Sequence, residues 1–104
     1  MSVDVVVVGG GPAGCIAARR LAALGARVVL YAGATAPGRE GVSRRAQELL
    51  EDEDPDTARH ALRGPVARGG EWGNARAIVG SEWLVDRSVL ARGLRQAALA
   101  AGVE

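Results

Sequence analysis

The sequence predicts an α/β fold in which a parallel βαβ unit is followed by further helices and short strands. Three observations carry this. Val3 and Val5–Val8 form an almost unbroken β-branched run. A glycine cluster, Gly9-Gly10-Gly11, breaks that run and opens an Ala- and Leu-rich segment. A second apolar run, Val28–Tyr31, follows at the distance a crossover helix requires. Strand, helix and strand within about thirty residues make a βαβ unit with a right-handed crossover.

The first run suits a strand buried on both faces of a parallel sheet. From Ala13 to Leu24 the residues favour helix. Ala13, Ile16, Ala17, Leu21 and Leu24 are expected on the inner face, with Arg19 and Arg20 in solvent. Gly25 is expected to close the helix and Cys15 to be a buried packing thiol. Residues 32–63 read as a loop and two helices. The loop spans Ala32–Gly41, Ser43 caps a helix through Leu50, and a short helix covers Thr57–Leu62. The acidic stretch Glu51–Asp56 with Pro55 separates the two helices. Residues 64–85 read as short strands, with a turn at Gly69-Gly70. In the last segment, 86–102, Asp86 caps a helix whose inner face is Val89, Leu90, Gly93, Leu94, Ala97 and Ala98. Gly102 ends it, and Val103-Glu104 begin another strand.

Composition narrows the function. The chain has 104 residues, 48% of them hydrophobic, so it has material for one packed core. Its formal charge of +1 gives no reason to expect nucleic acid or an anionic membrane as partner. All 13 basic residues are Arg, which suits phosphate but also follows from biased codon usage. A lone cysteine excludes an internal disulfide and a multi-Cys metal site. The apolar run Val5–Val8 is too short to span a membrane, and no basic segment precedes it as in a signal peptide, so the expected location is the cytoplasm. His60 and the acidic stretch are read as surface features, and Trp72 and Trp83 as packing residues.

The spacing Gly9-x-Gly11-x-x-Gly14 lies where a dinucleotide site needs it, after a buried strand and at the start of a helix. Gly9 permits the tight turn, Gly11 lets a pyrophosphate approach the backbone, and Gly14 lets the helix lie against the sheet. The helix N-terminus, with Pro12 and Ala13, offers unpaired N–H groups and partial positive charge. The fold is therefore expected to be Rossmann-like. One part of the fingerprint is missing. The acidic residue that holds the adenosine ribose falls at Ala32, followed by Gly33, and neither side chain accepts a hydrogen bond.

Residues Val3–Gly14, with Gly-Pro-Ala-Gly at their end, resemble the start of FAD-dependent oxidoreductases of the aromatic-hydroxylase and tryptophan-halogenase group. Arg39-Glu40-Gly41-Val42-Ser43 stands where halogenase-like members carry a Gly-Glu-Ser-Leu-Pro type loop. Trp72-Gly73, then Trp83-Leu84-Val85-Asp86-Arg87 and the later Ala-Gly-Val turn, are similar to the segment and helix that follow. The resemblance implies FAD as cofactor, with its pyrophosphate at Gly9, Gly11, Pro12, Ala13 and Gly14, and its ribose near Ala32. It also implies Glu40 near the flavin and Arg87 near the phosphates or bracing that region, with Arg39 and Arg44 as further candidates. Family members use reduced flavin to hydroxylate, halogenate or oxidise small organic substrates. The residues that hold the flavin ring come later in the family, so the chain is expected to be the amino-terminal part of an incomplete FAD domain and inactive without the remainder. No residue is assigned a catalytic or metal-binding role. The alternatives are an NAD(P)-binding Rossmann module and a truncated fragment with no cofactor.

Overall fold

The computed structural model describes residues 2–104, apart from the side chains of Trp72 and Val79. The assignment of Trp72 to packing thus lies outside the described residues. Nine elements follow in the order β1 (Val5–Val8), α1 (Pro12–Ala23), β2 (Val28–Tyr31), β3 (Arg39–Val42), α2 (Arg44–Glu53), α3 (Pro55–Ala61), β4 (Leu62–Trp72), β5 (Ala75–Asp86) and α4 (Arg87–Ala100).

β1 and β2 pair in parallel, Val5 opposite Val28 through Val8 opposite Tyr31, and α1 makes the crossover. The predicted βαβ unit is present with the expected strand limits for β2. Leu30 N–H donates to the Glu104 carbonyl at 2.7 Å, and Glu104 N–H donates to that of Val28 at 3.0 Å. The last two residues thus hydrogen-bond along the edge of β2, but they do not form the strand that the sequence leads one to expect there. Helices α1 and α4 pack on one face of this sheet, where Ala18, Val28, Ala98 and Val103 form a core with Val5, Val7 and Leu21. The opposite face is open. Val6 is 56% exposed and Val8 83%. Burial on both faces, expected from the valine run, is not realised, because the helical layer covers one side only.

The buried stripe of α1 also differs from expectation. Cys15 and Ala18 are the residues buried on α1, while Ala13, Ala17 and Leu24 are exposed. The small side chains face the sheet because they permit the closest approach. Gly25 ends the helix with φ of +96°, a conformation a Cβ would strain.

β3 replaces part of the predicted loop and pairs antiparallel with β5, which pairs in turn with β4. β4 and β5 form one long hairpin, not separate short strands. Its turn lies at Gly73-Asn74, between the paired residues Trp72 and Ala75, whereas Gly69 and Gly70 sit inside β4 opposite Ile78 and Ala77. Gly73 has φ of +60°, which suits the first central position of a tight hairpin turn.

The helices between the sheets end on local signals. The Ser43 hydroxyl accepts from Ala46 N–H, and α2 runs on through the acidic residues to Glu53. Asp54 stops it and caps α3, with Pro55 in the first turn. Asp86 accepts from Ser88 and Val89 N–H at the start of α4. Such caps each contribute about 1 kcal/mol. Gly93 lies where α4 meets α3, and a methyl there would overlap the Thr57 side chain. Leu90 and Leu94 of α4 join Cys15, Leu50, Ala58, Ala61 and Val85 in a second core. Helices α1 and α4 therefore each serve both cores, and together they tie the βαβ unit to the three-stranded sheet.

Candidate functional site

The glycine turn has the geometry that the spacing requires. Gly9 leaves β1 with φ of +112°. A Cβ on Gly14 would overlap the Gly9 carbonyl, so the helix lies against the strand exit only because that residue has no side chain. Gly11 differs from both. It caps α1 with φ of −74°, which any residue adopts, and a Cβ there would meet nothing within 4 Å. Its need for glycine is not internal to the fold. The open space beside it is a cradle that a side chain would fill.

The helix end beside this cradle has spare donors. No side chain caps α1. Pro12 has no N–H, and the first bond of the helix runs from Cys15 N–H to the Gly11 carbonyl at 3.0 Å. Among the described residues, the Ala13 and Gly14 N–H groups have no backbone acceptor. These donors and the helix dipole suit a diphosphate.

The cradle opens into a cavity of about 240 Å³ lined by Gly10, Gly11, Pro12, Gly33, Glu40 and Arg87, with Thr35, Leu90 and Arg95 beside them. The structure thus brings Glu40 and Arg87 to the glycine turn. Glu40 lies on β3 and not in a loop, and Arg87 is the first residue of α4. Arg87 donates to the Glu40 carboxylate at 3.1 Å, and its backbone N–H donates to the Gly38 carbonyl at 3.0 Å. Both side chains are partly exposed, so the pair orients more than it stabilises. Arg39 and Arg44 do not join the site. Arg39 lines a separate cleft with Arg59 and Arg63, and Arg44 pairs with Glu48 one turn along α2.

Ala32 is exposed at the end of β2 and presents only a methyl group. A Cβ added to Gly10 would overlap that methyl. The second glycine of the cluster is therefore needed because the exits of β1 and β2 touch, a demand outside the GxGxxG pattern.

Sequence reasoning missed Arg95. From α4 its Nη2 donates to the Gly33 carbonyl at 2.8 Å and to Thr35 Oγ1 at 3.0 Å, with a longer contact to the Gly10 carbonyl at 3.5 Å. It joins the loops that follow β1 and β2. Its Nε is buried and has no partner in the protein. A buried donor left unmade costs about 1–3 kcal/mol, which this clamp must offset. No local signal identifies such a residue, because its partners lie sixty or more positions away.

Cys15 lies beneath the same turn, with its Sγ 3.4 Å from the Gly10 carbonyl. Burial pushes its thiol pKa up, against an opposing pull from the Arg95 charge and hydrogen bond. A buried thiol held protonated packs and does not attack, in line with the reading of Cys15 as a core residue.

Residues 3–100 match the family described as pyridine nucleotide-disulphide oxidoreductase. The chain is similar to a peptidyl tryptophan dihydroxylase essential for tryptophylquinone cofactor biogenesis, at 34% identity and a TM-score of 0.77 over 95% of this chain and 23% of that one. A flavin-dependent brominase shares the fold at 22% identity and a TM-score of 0.70, over 98% of this chain and 28% of that one. A flavin-dependent monooxygenase, solved with FAD and substrate, shares it at 21% identity and a TM-score of 0.66, over 97% and 23%. The chain spans about a quarter of the length of these three structures. No curated protein sequence matches it. With the family matched over almost its whole length and the Rossmann-like fold of flavoproteins in place, the chain belongs to the pyridine nucleotide-disulphide oxidoreductase family.

Proposed function

We propose that the chain binds the ADP half of FAD and forms the amino-terminal part of a flavin-dependent oxidoreductase of the monooxygenase or halogenase-like kind. The observation that carries this is the empty space at Gly11, next to the unclaimed Ala13 and Gly14 N–H groups. The fold makes no use of a glycine there, and a pyrophosphate would. Gly9 and Gly14 shape the turn, Pro12 and Ala13 begin the helix, and Ala32 borders the ribose end. Glu40 and Arg87 close the far wall, where the Arg87 guanidinium has donors left for phosphate after binding Glu40.

When bound, the flavin supplies the redox chemistry. This part of the protein orients the nucleotide half through backbone donors and one ion pair. A small organic substrate would be met together with further protein beyond this unit. The flavin dependence of the similar brominase and monooxygenase supports flavin over a free nicotinamide nucleotide, the second reading for a pyridine nucleotide-disulphide oxidoreductase.

The test pairs two measurements on Gly11→Ala. Binding of FAD, followed by flavin fluorescence, should weaken by about tenfold or more, equivalent to about 1.4 kcal/mol. The unfolding midpoint should stay within about 0.5 kcal/mol of the parent. FAD binding that survives the substitution, or a parent that binds NAD(P) in preference to FAD, would overturn the proposal.

A further inference from the structure

Arg39 and Glu40 are neighbours on β3, so their side chains project to opposite faces of the sheet. Glu40 lines the cavity beside the glycine turn. Arg39 lines a second cleft, of about 270 Å³, with Arg59, His60, Arg63, Leu84 and Asp86. The strand register explains this gathering. Arg39 lies opposite Asp86 and Arg63 opposite Leu84, and Leu84 and Asp86 are two positions apart on β5. All four side chains therefore share one face. The last turn of α3 adds Arg59 and His60 at its edge.

Three guanidinium groups in one cleft repel one another unless anions compensate them. Little of that compensation is internal. Asp86, the carboxylate among the lining residues, accepts from the Ser88 and Val89 N–H groups through Oδ1. Arg59 pairs with Asp56. Among the described residues, no carboxylate lies within ion-pair distance of Arg39 or Arg63. Both are exposed, so their planar forks are free to turn to a ligand. The concave wall focuses the field of these charges, and half-buried Leu84 adds an apolar base. We propose that this cleft binds a small polyanion, a molecule with two or more carboxylate or phosphate groups. Cations placed on β3, α3 and β4 suit several anionic groups better than one, and each arginine can take an oxyanion through two hydrogen bonds. The cleft faces away from the glycine turn and stands independently of the dinucleotide reading.

Titration of the isotope-labelled full chain, followed by NMR, tests this with citrate as carboxylate probe and inorganic pyrophosphate as phosphate probe. The amide signals of Arg39, Arg59, His60 and Arg63 should shift saturably, with a Kd below about 1 mM for at least one probe. The tighter probe names the anion class. Signals of Ala13 and Gly14 report the glycine turn separately. Arg39→Gln combined with Arg63→Gln should weaken binding at the cleft by about tenfold or more, and each single substitution should give part of that loss. Both positions are exposed, so FAD affinity and the unfolding midpoint should stay those of the parent. Gly11→Ala should leave the cleft's affinity intact. Shifts that do not saturate, or that spread equally over Arg20, Arg68 and Arg76, would reduce the effect to surface charge and overturn the proposal. So would a double variant that binds as the parent does. Loss of FAD binding with the cleft still occupied would sink the dinucleotide reading alone.

Discussion

The βαβ unit and the β4–β5 hairpin are held by different means. In the first, close contacts between small residues decide the geometry: Gly14 against Gly9, Gly10 against Ala32, and Ala18 and Ala98 in the core. In the second, the backbone ladder does most of the holding. From Arg63 to Ser81 no described residue is buried, although strand pairing continues to Trp72 and Ala75. The hairpin regains a core only at its base, where Leu62 and Val85 pair and Val85 is fully buried. The molecule is 63 Å long by 23 by 17 Å, in keeping with this projecting arm. A site that must place donors against a ligand belongs on the first kind of structure, because packed small residues leave little freedom.

Substitutions can break or sharpen that contrast. The largest loss is expected in the core that links the two regions. Leu94→Ala removes a buried side chain from the core joining α1, α2, α3, α4 and β5, and should cost about 2–4 kcal/mol in urea unfolding. Gly14→Ala forces a methyl onto the Gly9 carbonyl and should cost about 1–3 kcal/mol. A Gly14→Ala protein as stable as the parent would mean that the helix is not held against the strand exit. The contrast with Gly11→Ala, which should be silent in stability, separates a glycine required by the fold from one reserved for a ligand.

A smaller effect is expected where the regions meet through charge. Arg20 Nε donates to the Glu53 carboxylate at 2.9 Å, and Arg19 donates to the Glu53 carbonyl at 2.7 Å, linking α1 to α2. The Arg20 hydrogen bond holds the Glu53 carboxyl below the usual range, against burial, which raises it. A lowered folded pKa means stability that is present above the unfolded value of about 4.3 and is lost as pH falls through the folded value. Glu53→Gln should therefore flatten the acid side of a pH–stability profile and leave the alkaline side unchanged. The smallest effect belongs to the arm. Ile78 is 78% exposed, so Ile78→Ser should move thermal stability by less than about 0.5 kcal/mol. A larger loss would show that the hairpin is packed in solution against something else.

The legible parts of the sequence were those set by neighbours along the chain. The valine run, the Gly-x-Gly-x-x-Gly spacing, the Ser43 and Asp86 caps and the closing glycines each act within a turn or two, so their structural outcome can be read locally. The hairpin turn was misplaced because Gly69-Gly70 and Gly73-Asn74 are both turn-forming pairs, and the pairing of β5 with β3 decides between them. Which face of α1 and β1 is buried depended on where α4 lands. Arg95 reaches its partners only after the last helix packs across the exits of both strands. Local chemistry thus determined that a glycine turn opens the first helix, whereas only the tertiary structure decided which charges surround it, because those contacts close loops that no short-range pattern encodes.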